Sequence, residues 1–136
     1  MDSTDLNILR YLKKDGRAQW KEIGAAVHLT GQAVADRVHR MEDLGIIKGF
    51  TVDVDEGSLG LQITALITVC MKTAEHHVLH NFIRDRPEIR EAHRISGDGC
   101  YWLKAVFQTN EQLSRFLDRL LNYGNYRISL SIDTIK

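Results

Sequence analysis

Gln32 is the side chain in this sequence best suited to reading a base edge. It stands near the start of a short helical stretch whose outward positions are Gly31, Gln32, Ala35, Asp36 and His39, with Ala33 beside them. A helix with small or polar residues on one face can enter the major groove of duplex DNA, where a carboxamide pairs with a base through two hydrogen bonds. Arg37 and Arg40 flank that face, and Arg17 and Lys21 stand before and at the start of the preceding helix. Cations in those places reach phosphates. Taken alone, three short helices joined by tight turns are equally compatible with a plain packing unit. Other chemistry is thinner. His76 and His80 are four residues apart on a helix, beside His77, but two ligands without a placed third make a weak metal site, and solvent-exposed histidines are the expectation. Cys70 and Cys100 form neither a disulfide framework nor a metal knuckle and read as free thiols. His93 and Arg94 precede a Gly97-Asp98-Gly99 turn and fit a ligand pocket or a structural role equally well. No nucleophile carries a local signature, no phosphate loop is present, and no cofactor is expected.

The elements that must position these residues are set by periodicity. In 136 residues with formal net charge zero there is room for two small domains, and no basic excess to steer the protein onto DNA, so any binding rests on local placement of charge. The acidic, polar start is not a signal peptide, and the apolar stretch 61–71 is too short and interrupted to cross a membrane, so a cytoplasmic, nucleoid-associated protein is expected. Helices are predicted over about 2–15, 20–27 and 30–44, the first stopped by a left-handed glycine at Gly16 and the second and third separated only by His28 and Leu29, the spacing of a helix-turn-helix. Two short strands are predicted over 46–50 and 51–54, as the wing of a winged helix-turn-helix. The DNA-binding domain is placed at 1–50 and a hinge at 51–60.

From 61 the period changes to two, and the order to 136 reads β-α-β-β-α-β, a ferredoxin-like α+β domain. Both helices of that order cover one face of the sheet. The other is expected to carry Leu66, Cys70, Trp102 and Val106, apolar enough to require pairing with a second copy. The first and third strands are expected to run parallel, putting Cys70 and Cys100 at opposite ends of the sheet.

Asp5-Leu6-Asn7-Ile8-Leu9, Leu12 to Arg17, Glu22-Ile23-Gly24, Val27-His28-Leu29-Thr30, Val34 with Arg37-Val38, Met41-Glu42 and Gly45 to Phe50 together resemble the leucine-responsive/asparagine-responsive (Lrp/AsnC, feast/famine) transcription regulators. The resemblance extends through Leu59-Gly60 and the C-terminal domain. It implies DNA recognition by the third helix, dimers and higher assemblies built through the C-terminal domains, and in many members an amino-acid effector held at Gly97, Asp98, Gly99 and Cys100. Three positions depart from the family pattern: Gln19 replaces a small hydroxyl residue, His28 a glycine, and Cys100 an aspartate. Cysteine lacks the carboxylate that would hold a ligand's ammonium group, so a weak or altered effector response is expected. Two other readings are an architectural DNA binder with little sequence preference and an enzyme, since some haem-biosynthesis decarboxylases share this two-domain fold. Their arginine- and histidine-rich pocket sequence is not found here beyond His93 and Arg94.

Overall fold

The computed structural model describes residues 1–97 and 100–136. The chain divides into two compact units, Met1–Asp53 and Val54–Lys136.

The first unit is three helices, α1 (Ser3–Lys14), α2 (Trp20–Val27) and α3 (Gly31–Asp43). α1 starts in a reciprocal cap: the Asp5 amide donates to Asp2 Oδ1 at 2.8 Å and the Asp2 amide to Asp5 Oδ2 at 3.0 Å. Thr30 caps α3 through the Ala33 amide at 3.1 Å. Ile8, Leu12, Ala18, Ile23, Val34, Val38 and Met41 close the core, so each helix contributes the inward stripe its spacing predicts. The inward line of α1 runs through Asp5, Ile8 and Leu12, and Leu6 is exposed.

The helix stops differ from expectation. Gly16 does not adopt the left-handed conformation; α1 ends at Asp15 in extended backbone. The left-handed residues are His28 after α2 (φ 61°) and Gly45 after α3 (φ 71°). Beyond Gly45 the expected wing is not formed. Residues 46–54 contain no strand, and the Ile46 and Ile47 amides turn back to the Met41 carbonyl at 2.9 and 3.1 Å. Satisfying the end of α3 takes the donors a hairpin would need, and a lone two-stranded ribbon has little stability of its own.

The second unit opens with a 3₁₀ turn, Glu56–Leu59, and continues β1 (Ile63–Met71), α4 (His76–Arg84), β2 (Ile89–Arg94), β3 (Tyr101–Phe107), α5 (Asn110–Leu120) and β4 (Gly124–Leu130). The sheet order is β2-β3-β1-β4 and every neighbouring pair is antiparallel. β1 and β3 are therefore not parallel, contrary to the expectation from sequence. The connection through α4 sets β2 parallel to β1 with a gap between, and the β2–β3 hairpin folds β3 back into that gap, opposed to both. Val69 pairs with Tyr101, so Cys70 and Cys100 lie at the same end of the sheet. Both are half-buried: Cys100 packs against the helix-side core, and Cys70 stands between Val69 and Met71 on β1. Both thiols are unbridged.

Ala65, Ile67, Val69, Tyr101, Leu103, Ala105 and Phe107 form the helix-covered face, closed by Leu79 and Phe82 of α4 and Leu113, Phe116 and Leu120 of α5. The other face is less apolar than expected. Val106 is already buried, Trp102 is half-buried with its ring 5.9 Å from that of His93, and Lys104 alternates between them.

Candidate nucleic-acid interface

The geometry that presents α3 is set by two close approaches. A Cβ on Gly24 would lie 2.3 Å from the Leu29 carbonyl oxygen, and one on Gly31 would lie 3.2 Å from the Lys21 amide nitrogen. Gly24 thus lets the turn fold tightly onto α2, a position sealed by the Leu29 amide donating to the Gly24 carbonyl at 2.9 Å. Gly31 lets the start of α3 sit against the start of α2. It is a packing position, and the expectation that it lies on the outward face is corrected. Tyr11 Oη, donating to Glu22 Oε1 at 2.9 Å, ties α1 to α2.

On this frame α3 exposes Gln32, Asp36, His39 and Arg40, at helical spacing, with Ala33 half-exposed at the edge. Ala35 is not among them. It is buried with Val34 and Val38, because the inward stripe of α3 is one position wider than expected from sequence. Gln32 Nε2 donates to Asp36 Oδ1 at 2.9 Å, which fixes the carboxamide on the helix surface and leaves its oxygen and second amide hydrogen outward. Arg17, Lys21 and Arg40 are exposed and have no ion-pair partner among the described residues.

Arg37 is placed otherwise than expected. Its Nη1 donates to Asp2 Oδ2 at 2.7 Å and to Asp5 Oδ1 at 2.9 Å, so it clamps the start of α1 rather than standing free. The Arg37 hydrogen bond, followed by the Asp5 amide, holds the Asp2 carboxyl down at about 2. The Asp2 amide and then Arg37 hold Asp5 below the usual carboxylate range, and the two acids raise Arg37 in turn. Nothing in the local sequence announces this triad, because Arg37 stands more than thirty residues from both acids.

In the second unit, His76 and His80 are not simply exposed. His76 Nδ1 and His80 Nε2 both meet the hydroxyl of buried Tyr101, at 2.6 and 2.8 Å. The i, i+4 spacing serves a shared phenol, and no metal-binding group is found among the described residues. His77 is exposed, as expected. His93 pairs with Glu91 at 2.7 Å on the open face of the sheet. Of the expected effector residues, Gly97 is left-handed at φ 93° and exposed, and Cys100 is half-buried against the core. Asp98 and Gly99 lie outside the described residues. No helix among the described residues is long and apolar enough to cross a membrane.

A helix-turn-helix whose third helix carries an exposed polar stripe, followed by a ferredoxin-like domain, defines a two-domain DNA-binding protein. Residues 1–42 match the AsnC-type helix-turn-helix domain and residues 64–136 the Lrp/AsnC ligand-binding domain. The chain is 48% identical over 136 residues to the HTH-type transcriptional regulator LrpB of Bacillus subtilis (strain 168), covering 100% of this chain and 91% of LrpB. It is 37% identical to LrpA of the same organism, covering 97% of this chain and 98% of LrpA. The structure of B. subtilis LrpC superimposes with a TM-score of 0.94 at 32% identity, covering 100% of this chain and 97% of LrpC. A Neisseria meningitidis regulator solved as an L-Met complex superimposes with a TM-score of 0.93 at 27% identity, covering 100% and 92% of the two chains. The chain belongs to the Lrp/AsnC family of transcription regulators.

Proposed function

We propose that this regulator reads its sites as a dimer, with Gln32 as the base reader and Arg17, Lys21 and Arg40 as phosphate contacts. The observation that carries this reading is the bare stripe of α3: Gln32, Asp36, His39 and Arg40 are exposed on a helix whose other side is packed. His39 and Ala33 border the same groove-facing surface, and Asp36, by holding Gln32, sets its orientation. Two reading heads are needed because the formal charge is zero and one head engages few phosphates. Half-sites about one helical turn apart, roughly 34 Å, suit a symmetric pair. Leu66 and Trp102 on the open sheet face are the apolar anchors for that pairing.

An amino acid is the effector class we assign to the turn at Gly97 to Cys100, by analogy with the L-Met complex of the Neisseria relative. Cys100 is half-buried against the core and offers no carboxylate, so the contact falls to Asp98 or is lost. DNA binding therefore persists without effector. The deciding experiment is a gel-shift titration of genomic fragments against competitor DNA, with and without an amino-acid pool. Site-selective shifts by a dimer, abolished in Gln32→Ala, are expected; equal affinity for all fragments would indicate an architectural binder and overturn the reading.

A further inference from the structure

The ligand-binding domain has a second concavity, at the end of the sheet opposite the Gly97 turn. It is a groove of about 500 Å³ between α5 and the start of β2. Ile89 marks the groove end of β2 and Arg94 the turn end, so the strand alone separates the two places by about 15 Å. The floor is apolar: Phe107 and Phe116, both buried, with Pro87 at one side. This volume lies in the range of small-molecule sites, which are apolar with a few convergent polar groups.

The rim supplies those groups. Arg115 and Arg119 both border the groove, one helical turn apart on α5, and neither has an ion-pair partner among the described residues. Like charges at this spacing repel, and an anion held between them removes the repulsion. Their Cβ atoms are about 5–6 Å apart by helix geometry, a span that one carboxylate can bridge. The third guanidinium of the rim, Arg90, is already engaged: it pairs with Glu56 through two bonds, at 2.8 and 3.1 Å. Next to Pro87, Arg86 lies with its guanidinium 4.8 Å from the ring of Phe82, which stacks in turn on Phe116. Its Nε is buried with no hydrogen-bond partner among the described residues, an uncommon loss. Glu88 also lines the groove, and its charge disfavours a ligand of high negative charge.

We propose that this groove binds a small amphipathic monocarboxylate, its head held between Arg115 and Arg119 and its apolar body laid over Phe107 and Phe116. The apolar floor and Glu88 together select against inorganic phosphate and nucleic acid. The site is separate from the Gly97 turn and independent of how the protein reads DNA.

The test is calorimetric titration of the full chain with 4-methyl-2-oxopentanoate and with phenylpyruvate, against acetate and inorganic phosphate. The two amphipathic acids are expected to bind with Kd below about 1 mM, and the Arg115→Gln/Arg119→Gln protein to bind them about tenfold more weakly or worse. Glutamine is compatible with both exposed helical positions. Amide chemical-shift mapping on the unaltered chain gives a readout that needs no variant: shifts are expected at residues 87–88 and 106–119. No binding of either acid in that range overturns the proposal. So does phosphate or acetate binding as tightly, undiminished affinity in the double variant, or shifts confined to residues 97–101. Gel-shift activity that fails while this binding persists would count against the DNA reading alone.

Discussion

Replacing Gly24 with alanine adds one methyl group at the point where the turn crosses α2. In the native backbone that Cβ would stand 2.3 Å from the Leu29 carbonyl oxygen and 3.3 Å from the carbonyl carbons of Leu29 and Thr30. All three are backbone atoms, so no side-chain rotation relieves the contact, and the turn must move by about 1 Å to reach ordinary van der Waals separation. That movement stretches the 2.9 Å bond from the Leu29 amide to the Gly24 carbonyl, worth about 1 kcal/mol. Crowding in a packed interior adds about 1–3 kcal/mol. Alanine's better helix propensity returns about 0.5–1 kcal/mol. A net loss of about 1–3 kcal/mol is expected, which for a unit this small is about 4–8 °C of Tm per kcal/mol. Trp20 packs against the first unit's core and Trp102 lies in the second, so in a Trp102→Phe background tryptophan fluorescence follows the first unit alone. Urea melts of Gly24→Ala and Gly16→Ala in that background make the comparison. A Cβ on Gly16 meets only the Leu12 carbonyl at 3.8 Å, an ordinary contact, and Gly16 has no left-handed φ, so its replacement should be neutral or slightly stabilising. Equal stability of Gly24→Ala and the parent, or equal losses in the two variants, would refute the close-approach argument.

His28 holds a left-handed conformation without being glycine, so His28→Gly should stabilise the first unit by about 0.5–1 kcal/mol in the same melts. Gln19 caps α2 without a side-chain hydrogen bond, and Gln19→Ser should add about 0.5–1 kcal/mol by supplying one. Asp2 has its carboxyl lowered to about 2 from 3.8, so its share of stability is complete above pH 3.8 and is lost as pH falls through about 2; Asp2→Asn should flatten the acid limb of a pH melt in that window. Arg40→Ala should weaken binding to all DNA sequences alike and lower the salt slope by about one ion, whereas Arg37→Ala, removing the clamp on α1, should lower the stability of the first unit and leave the slope unchanged. A slope that drops equally in both would return Arg37 to the phosphate contacts.

The features legible in the sequence are those that repeat locally. Val34, Val38 and Met41 recur at helical spacing and are all buried; Ala65, Ile67 and Val69 alternate and are all buried. Thr30 is a cap because its own hydroxyl reaches three residues on. The features that escaped depend on pairs far apart in the chain. The antiparallel course of β3 beside β1 is fixed by the whole βαββ path, and no single strand records it. The meeting of His76 and His80 on Tyr101 needs α4 laid over β3, and the i, i+4 spacing by itself gives only exposed histidines or a weak metal pair. Helix stops fell between these cases: Gly16 carries the usual residue without the conformation, and His28 the conformation without the usual residue.

Arg37 is the long-range pairing that bears most directly on function. A count of cations near α3 would credit the first unit with Arg37 as well as Arg17, Lys21 and Arg40. With Arg37 bound to Asp2 and Asp5, one cation and two acids no longer act as free charges. The triad keeps one net negative charge, and Asp36 adds an exposed acid on α3 beside the proposed phosphate contacts. A head charged this way gains little from non-specific contact with DNA, so on the reading proposed above occupancy rests on base-edge contacts and on doubling the reading heads. The same acids that tie Arg37 also cap α1, so the device that removes the charge is the one that fixes the helix against which α3 is held.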